Sequence, residues 1–409
     1  MNLLLHSSII NQQSSIGISG SKSETNRLLL LQALYSDIVL DNVSNSDDSE
    51  VMIKALSQKE GIVDIHHAGT AMRFLTAYFS MKEGSEVVLT GSTRMKERPI
   101  RILVDALKQI GADIQYEGNE GFPPLRIKGK KLVENKIKLP ANVSSQYVSA
   151  LLLIASKLEN GLEMTLEGEI TSIPYINMTL ALLNEIGIET SFSGNEILVS
   201  PKRTALTLKR ITVESDWSSA SYFYSIVALA ATGTEITLSS YKQNSLQGDS
   251  NLTEIYKDFG VVTEFNANSI VLRNTGNRRL SSISCELNKT PDIAQTIAVT
   301  CFGLGMGCHL TGLHTLKIKE TDRLEALKTE LTKLGAKLAV TDDSLTLEPS
   351  AEIKGNSAVS TYQDHRMAMA FAPLALKTDI VIEEAEVVSK SYPDFWNDLK
   401  RIGFLISDM

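Results

Sequence analysis

The chain is built on a repeat of about seventy residues, which limits it to folds assembled from similar pieces. Five segments share one pattern, in which an amphipathic helix is followed by a hydrophobic residue, a glycine and a short strand. They are LVDALKQIGADIQY, TLALLNEIGIETSF, LTEIYKDFGVVTEF, LKTELTKLGAKLAV and FWNDLKRIGFLI, with glycines at Gly111, Gly187, Gly260, Gly335 and Gly403. A sixth segment, MIKALSQKEGIVDI, carries Gly61. Each glycine is predicted to end its helix in the left-handed conformation.

Upstream of each glycine, a second and more apolar helix begins with a polar cluster, which we term a polar opening. The six openings are SKSETNR at Ser21, GTAMR at Gly69, SSQ at Ser144, DWSSAS at Asp216, DIAQT at Asp292 and DHRMAM at Asp364. Each repeat therefore reads helix, strand, helix, strand, usually followed by a hairpin. Six such repeats predict an α/β fold.

Two irregularities in the repeat predict the domain organisation. The first repeat lacks the hairpin, because Ile65 runs directly into HHAGTAMR, and the sixth ends at Met409 before a hairpin can form. The strand missing from the sixth repeat can come from residues 3–18. We therefore expect one domain of residues 1–19 and 214–409, completed by the N-terminal segment, and another of residues 20–213.

Composition excludes several classes of protein. The chain has 40 Lys+Arg and 48 Asp+Glu, a net charge of −8, which argues against a broad basic surface for nucleic acid or anionic membrane. A local basic site for an anionic small molecule stays possible. Three cysteines, Cys285, Cys301 and Cys308, match no metal spacing and favour a reducing compartment. Without a signal peptide or membrane-spanning run, we expect a cytoplasmic protein.

The first polar opening combines a helix start with cations. The free N–H groups and the dipole of a helix N-terminus attract anions. SKSETNR adds Lys22 and Arg27, and its Ser21 and Glu24 have the spacing of a capping box. These residues together predict an anion-binding helix start.

Two other openings place arginine where the helix dipole disfavours it. In AGTAMR, Gly69 allows close backbone approach, Thr70 is a candidate cap and Arg73 lies in the first turn. In DHR, Asp364 is a candidate cap and Arg366 follows it. A first-turn arginine is unfavourable beside the dipole unless an anion is near. Each opening taken alone is also compatible with a solvated helix end.

Two charged motifs lie outside the openings. TRMKERPIRILVDAL places four cations ahead of a helix, with Pro99 expected at its first position: Arg94, Lys96, Arg98 and Arg101. LKIKETDRLEAL places charges at the head of the Gly335 helix, with Thr321 or Asp322 as its cap: Lys319, Glu320, Asp322 and Arg323. For both motifs, a solvated charged helix start is the alternative to a binding site.

Together these motifs resemble those of the EPSP synthase family. The matching segments run in family order from Ser21 to Phe395: SKSETNR, AGTAMR, RMKERPI, SSQY, SIPYI, SASYF, PDIAQTIA, KETDRL, DHRMAMAF and KSYPDF. The resemblance implies a two-domain inside-out α/β barrel with three repeats per domain and an active site in the cleft between them. It also implies enolpyruvyl transfer from phosphoenolpyruvate to the 5-hydroxyl of shikimate 3-phosphate, by a monomer that needs no metal or cofactor.

The resemblance assigns roles to individual residues. The shikimate 3-phosphate contacts are Lys22, Ser23, Arg27, Ser144, Ser145, Gln146, Ser172, Asp292 and Lys319. The phosphoenolpyruvate contacts are Lys22, Gly69, Arg98, Gln146, Arg323, Arg366 and Lys390. The catalytic residues are Asp292, as base for the hydroxyl, Glu320, as acid and base at C3, and Lys22. Supporting positions are Thr70, Arg73 and His365.

Some residues depart from the family pattern, and other functions compete with the main one. His67 stands where an Asn is common, and Phe74 stands where a Pro is common. His67 is either a new phosphate contact or a packing replacement.

One alternative function is enolpyruvyl transfer to UDP-N-acetylglucosamine, whose enzymes normally use a loop cysteine, although no cysteine precedes Cys285 here. The other alternative is a non-catalytic anion-binding protein.

Overall fold

The computed structural model describes residues 1–6, 13–141, 144–168, 170, 173–202, 207–278, 280–350, 352–355 and 357–409. The chain divides into two compact units. The first, here called the split unit, comprises Met1–Ser19 and Glu214–Met409, and the second, the central unit, comprises Gly20–Val213.

The regular elements follow one another along the chain as a mixture of short strands and helices. The strands are β1 Leu3–Leu5, β2 Gln13–Ile16, β3 Ile38–Asp41, β4 Glu60–Asp64, β5 Glu86–Thr90, β6 Asp113–Tyr116, β7 Leu125–Lys128, β8 Lys136–Pro140, β9 Leu162–Glu167, β10 Thr190–Ser193, β11 Glu196–Val199, β12 Lys209–Thr212, β13 Glu235–Ser239, β14 Val261–Phe265, β15 Ser269–Asn274, β16 Ser282–Glu286, β17 Gly307–Thr311, β18 Leu338–Val340, β19 Leu345–Leu347, β20 Ser357–Val359, β21 Ile380–Ile382 and β22 Ile406–Asp408. The α-helices are α1 Lys22–Leu34, α2 Asp47–Leu56, α3 Gly69–Met81, α4 Thr93–Lys96, α5 Arg101–Gln109, α6 Ser145–Ala155, α7 Ile173–Glu185, α8 Trp217–Leu229, α9 Leu252–Ile255, α10 Ala294–Gly303, α11 Arg323–Lys333, α12 His365–Phe371 and α13 Phe395–Arg401. Short 3-10 helices cover Gly248–Asn251, Pro291–Ile293, His314–Ile318, Ala372–Leu376 and Ala385–Lys390.

The sheets repeat one topology. Within the described residues, the split unit has three four-stranded sheets, and the central unit has two four-stranded sheets and one two-stranded sheet. In each four-stranded sheet, one strand pair is parallel and two are antiparallel, as in the order β4-β5-β7-β6, where β4 and β5 are the parallel pair. The predicted α/β fold is confirmed.

The two irregular repeats differ from the others in how their sheets are assembled. The first repeat has no hairpin, and within the described residues its strand β3 pairs with β12 in a parallel two-stranded sheet. In the sixth, β1 from the N-terminal segment lies between β21 and β22, with Leu4 opposite Val381 and Ser407. The N-terminal strand therefore occupies the place that a hairpin strand takes in the other sheets.

The repeat glycines end their helices as the sequence predicts. At Gly111, φ is +98°, the Gly111 N–H donates to the Lys108 carbonyl at 3.0 Å, and the Ala112 N–H donates to the Leu107 carbonyl at 3.1 Å. This is the Schellman arrangement, which satisfies carbonyls left open at the end of α5. The same pair of hydrogen bonds and a positive φ recur at Gly187, Gly260, Gly335 and Gly403.

The sixth glycine does not follow this rule, and the prediction for Gly61 is wrong. Helix α2 ends at Leu56, where the Ser57 hydroxyl donates to the Lys54 carbonyl at 2.7 Å. Gly61 lies within β4 with a φ of +87°. The hydrogen bond from Ser57 satisfies one of the carbonyls left open at the end of the helix.

Three inner helices form the centre of each unit. In the split unit, α8, α10 and α12 contact one another, and nearly every residue of all three is buried. In the central unit, α1, α3 and α6 also contact one another. A helix that is apolar on all sides is suited to such a buried position. The six polar openings are the N-terminal ends of these inner helices. Among the helices of the described residues, none is long and apolar enough to span a membrane.

We predict that Gly111→Ala lowers the free energy of unfolding by about 1 kcal/mol, because alanine is disfavoured at a positive φ. No atom lies within 4 Å of the added Cβ, so the loss comes from the backbone alone. Urea unfolding measures it. The matched control is Gly118→Ala, whose Cβ meets Pro124 at an ordinary 3.7 Å. Equal losses in the two variants would contradict the backbone explanation.

Candidate functional site

The N-terminal ends of the inner helices of the split unit meet at Asp292. This residue lies in the 3-10 helix that leads into α10. Arg366, the second residue of α12, donates from Nη2 to Asp292 Oδ2 at 3.1 Å and to the Ser218 hydroxyl, near the start of α8, at 3.3 Å. One carboxylate and one guanidinium thus connect three helix starts.

Arg323 is enclosed by three carboxylates. It is the first residue of α11 and is 1% exposed. Its guanidinium donates to Asp364 at 2.6 Å, to Asp292 at 3.0 Å and to Glu320 at 2.7 Å. Burial alone would lower the pKa of Arg323, but the three carboxylates raise it well above its ordinary value. Arg323 therefore stays cationic and holds both proposed acid–base residues.

The other site residues predicted in this unit have different partners. Lys319 Nζ is 3.5 Å from Asp292 Oδ1. Lys390 Nζ instead donates to the Gln363 carbonyl at 2.7 Å. His365 is buried, with Nδ1 3.7 Å from Asp364 Oδ1. The structure thus brings Lys319 directly to the acid–base cluster and connects Lys390 to the loop ahead of α12.

Asp249 belongs to this cluster and was missed by sequence reasoning. It is buried in the 3-10 helix Gly248–Asn251, and its carboxylate accepts a short hydrogen bond from the Ser218 hydroxyl. Burial, and then the neighbouring Asp292, raise the pKa of Asp249 to about 7. A single acid in the segment QGDSN carries no sequence signal for this position, because the chain brings it to Ser218 only through the tertiary fold.

The inner helices of the central unit also meet at their N-terminal ends. The Gln146 side chain, on α6, donates to the Thr70 hydroxyl, on α3, at 3.1 Å. Ser144 caps α6 by accepting from the Gln146 backbone N–H, and Ser145 is buried in the first turn. The predicted residues of two openings thus come together.

Arg98 lies directly over the start of α3. A Cβ placed on Gly69 would be 2.6 Å from Arg98 Nη1. Glycine at this position leaves room for the guanidinium beside the first turn, whereas a Cβ would require the Arg98 side chain to shift. Close approach of an anion to Gly69 stays a prediction. An anion bound there would meet both the helix N-terminus and the guanidinium.

Lys22 is held by a carboxylate of the neighbouring helix. Lys22 is the first residue of α1, and its Nζ lies 3.7 Å from Asp48 Oδ2 on α2. The other oxygen, Oδ1, is 3.8 Å from His67 Nε2. Ser23, the next residue of α1, is half-buried, and its carbonyl accepts from Arg27 Nη1 at 2.7 Å.

Arg27 and Arg73 are buried inside the central unit. Arg27 is 2% exposed and donates to Thr179 and Ser149, while its guanidinium lies 5.4 Å above the Phe74 ring. Arg73 donates to the carbonyls of Gly69 and Pro99. Burial lowers the pKa of each to about 10. A direct contact of Arg27 with substrate stays a prediction, because its donors shown here bind the protein itself.

Three predictions about helix starts are wrong. Ser21 precedes α1 but its side chain makes no capping hydrogen bond, so no capping box with Glu24 forms. Ala68, not Thr70, is the N-cap of α3, since the Thr70 hydroxyl accepts from Gln146 instead. Helix α5 begins at Arg101, which leaves Pro99 outside it, where its carbonyl binds Arg73 and Tyr147.

Two other caps are confirmed, and one site residue lies outside the described residues. Asp364 caps α12 by accepting from the Arg366 N–H, and Asp322 caps α11 by accepting from two backbone N–H groups. Ser172, predicted as a shikimate 3-phosphate contact, is not among the residues that the structure describes.

The two sets of helix N-termini differ in charge. In the split unit, Asp216 and Asp364 cap α8 and α12, and Asp292 lies just ahead of α10. In the central unit, the N-caps of α1, α3 and α6 are the uncharged Ser21, Ala68 and Ser144. Since partial positive charge at helix starts attracts anions, the central unit leaves more of it for a ligand.

The described residues contain no group of three or more His, Cys, Asp and Glu side chains that could hold a metal ion. Cys301 and Cys308 are buried and Cys285 is half-buried, all as free thiols. Burial raises the pKa of the Cys285 thiol to about 11, which keeps it in its less reactive protonated form.

Comparison with known proteins gives one consistent family. The family model of EPSP synthase (3-phosphoshikimate 1-carboxyvinyltransferase) matches residues 56–399. A 3-phosphoshikimate 1-carboxyvinyltransferase of Bacteroides fragilis (strain YCH46) is 48% identical over 399 residues, which cover 96% of each chain. One from Haemophilus influenzae (strain Rd) is 35% identical and covers 95% of this chain and 96% of its own.

Solved structures share the fold. An EPSP synthase structure from Acinetobacter baumannii superposes with a TM-score of 0.81 over 100% of both chains, at 21% identity. The enolpyruvyl transferase NikO from Streptomyces tendae gives a TM-score of 0.74 at 14% identity, over 99% of this chain and 98% of its own. At these identities the likeness concerns the fold alone.

We predict that Asp249→Asn removes a pH dependence of stability. Because the pKa of Asp249 is raised from 3.8 to about 7, the folded chain keeps a proton that the unfolded chain loses. The wild-type free energy of unfolding therefore falls as pH rises from about 4 to about 7, and this contribution is constant above that range. Between about pH 5 and pH 8, the wild type should lose about 3 kcal/mol relative to the variant.

Urea unfolding at the two pH values measures this difference. The control is Asp37→Asn, which changes an exposed aspartate of the other unit and should shift stability by the same amount at both pH values. Parallel pH dependences of the wild type and Asp249→Asn would contradict the prediction.

Proposed function

Because the chain belongs to the EPSP synthase family, we propose that its two sets of site residues act together on one pair of anionic substrates. The chain transfers the enolpyruvyl group of phosphoenolpyruvate to the 5-hydroxyl of shikimate 3-phosphate and releases phosphate. This reaction belongs to the shikimate pathway, which leads to chorismate and the aromatic amino acids. The observation that carries the assignment of the catalytic residues is the binding of both Asp292 and Glu320 by Arg323.

The central unit supplies the site for the anionic groups of shikimate 3-phosphate in this proposal. Its three uncharged N-caps leave backbone donors and dipole charge for a phosphate. Hydroxyl and amide donors lie at the start of α6, and an ammonium lies at the start of α1. The proposed contacts here are Lys22, Ser23, Ser144, Ser145 and Gln146, with Ser172 and Arg27 expected from the family resemblance.

The split unit supplies the guanidinium groups for phosphoenolpyruvate. Arg323 and Arg366 both donate to Asp292 in this structure, which makes Asp292 a weak base because cations stabilise its charged form. A carboxylate or phosphate arriving at these guanidinium groups shares their hydrogen bonds. Asp292 then loses part of its stabilisation and becomes a better acceptor for the hydroxyl proton. Substrate binding thus activates the base.

The chemical steps then follow from two carboxylates and fixed cations. The 5-hydroxyl oxygen bonds to C2 of phosphoenolpyruvate, its proton passes to Asp292, and C3 receives a proton, for which Glu320 is the proposed donor. The tetrahedral intermediate then loses a proton from C3 to the same group as the C2–O bond to phosphate breaks. Arg323 and Arg366, together with Lys22, Arg98 and Lys390, stabilise the oxyanions.

We propose that the protein acts as a monomer in the cytoplasm. The net charge of −8 argues against nucleic acid or an anionic membrane as a partner. The three free cysteines are compatible with a reducing compartment.

We predict phosphate release when the purified protein receives phosphoenolpyruvate and shikimate 3-phosphate together. A coupled phosphate assay measures it, and a parallel reaction replaces shikimate 3-phosphate with UDP-N-acetylglucosamine. Release only with the shikimate compound supports the proposal. Release only with the nucleotide sugar would assign the other transfer reaction, and release with neither would favour an anion-binding protein.

We predict that Asp292→Asn lowers kcat by about 10²- to 10⁴-fold, because an amide cannot accept the hydroxyl proton. Steady-state kinetics measure the loss, and calorimetry with shikimate 3-phosphate verifies that the variant still binds substrate. The control is Asp342→Asn in the same unit, whose side chain is 94% exposed and whose removal should leave kcat unchanged. A loss of less than about tenfold in Asp292→Asn would exclude Asp292 as the base.

A further inference from the structure

The carboxylate of Asp48 is shared between two groups of different chemistry. Its side chain is 8% exposed, so each oxygen faces a defined neighbour. Oδ2 lies 3.7 Å from the ammonium of Lys22, and Oδ1 lies 3.8 Å from Nε2 of His67. One oxygen thus faces a permanent cation, and the other faces an imidazole whose charge depends on pH.

Further charged groups surround His67 on the elements packed against it. Asp47 Oδ2, on α2, lies 4.0 Å from its Nε2. Two residues along the chain, Gly69 begins α3 beneath the guanidinium of Arg98. In the same turn, His66 Nδ1 lies 4.0 Å from Asp64. His67 therefore lies next to two carboxylates, one of which also pairs with Lys22, and two residues ahead of Gly69.

We propose that His67 is a positioning residue that strengthens phosphoenolpyruvate binding when it is protonated. This inference rests on the function proposed above and on the prediction, from the family resemblance, that Lys22, Gly69 and Arg98 contact phosphoenolpyruvate. When His67 is neutral, the Asp48 carboxylate interacts mainly with Lys22. It then weakens the electrostatic attraction between that ammonium and a substrate anion. When His67 is protonated, it shares Asp48 and Asp47, so Lys22 is available to the substrate and one more positive charge lies nearby.

Histidine at position 67 can do what an asparagine there could not. An asparagine, common at this position in the family that the sequence resembles, could hydrogen-bond to Asp48 but could not change its charge. His67 is 38% exposed, so solvent protons reach it directly. Its exposure also means that a neutral polar replacement need not disturb the core.

The test compares the wild type with His67→Asn and His67→Gln at about pH 6 and about pH 8. The KM for phosphoenolpyruvate is measured at saturating shikimate 3-phosphate, and each variant's KM is divided by the wild-type KM at the same pH. Dividing cancels the protonation of the substrates themselves. We expect this ratio to rise about fivefold from pH 8 to pH 6 in both variants, while the kcat ratio changes less than about twofold.

The matched control is His66→Asn, which removes the neighbouring histidine. Its side chain is 68% exposed and faces Asp64 rather than Asp48, and its φ of +48° is one that asparagine tolerates. This variant should give a KM ratio that is the same at both pH values.

The outcomes separate this inference from the proposed function. Phosphate release by the wild type with a KM ratio independent of pH in both His67 variants would overturn the inference alone, since a purely structural role shifts KM equally at both pH values. Absence of phosphate release by the wild type would overturn the proposed function and this inference with it. A ratio that also rises in His66→Asn would overturn the assignment to His67.

Discussion

The convergence of three helix N-termini within each unit is the constraint on which the rest of the structure depends. Ends that carry partial positive charge repel one another when they are brought together, so each unit needs groups of opposite charge or bound anions at that point. The split unit uses aspartates, at positions 216, 292 and 364. The central unit uses none at its N-caps. This difference gives the two units different chemistry from the same repeat.

In the split unit, the aspartates create a second requirement, because buried carboxylates are unfavourable unless cations accompany them. Arg323 and Arg366 satisfy it by pairing with Asp292 and Glu320, the residues proposed as base and acid. The same guanidinium groups can therefore hold the carboxylates before substrate binds and hold the substrate afterwards. Asp249, whose pKa is raised to about 7 by burial and by the neighbouring Asp292, adds a further carboxylate to this cluster.

In the central unit, the positively charged side chains fall into two groups. Arg27 and Arg73 have buried guanidinium groups whose hydrogen bonds shown here go to hydroxyls and carbonyls of the unit itself. The cations nearer to the helix starts are Lys22 and Arg98, and Lys22 is restrained by Asp48. The sequence predicted a basic site, but the structure divides its arginines and lysines into internal and accessible groups. Such a division depends on which side of an inner helix each residue occupies.

The sequence by itself determined the repeat, the α/β fold and most of the residues at the helix starts. The spacing of Gly111, Gly187, Gly260, Gly335 and Gly403 follows from the local need for a left-handed residue after a helix, and local rules are written in neighbouring residues. Tertiary structure alone decided the partners of those residues. Ser21 and Thr70 had the right composition for caps, yet Thr70 accepts a hydrogen bond from Gln146, far away in the chain. Likewise, Asp48 comes to both Lys22 and His67, and Asp249 comes to Ser218, only when separate helices pack together. These contacts depend on the distances between helices, which are set by tertiary packing. A local sequence pattern does not reveal those distances.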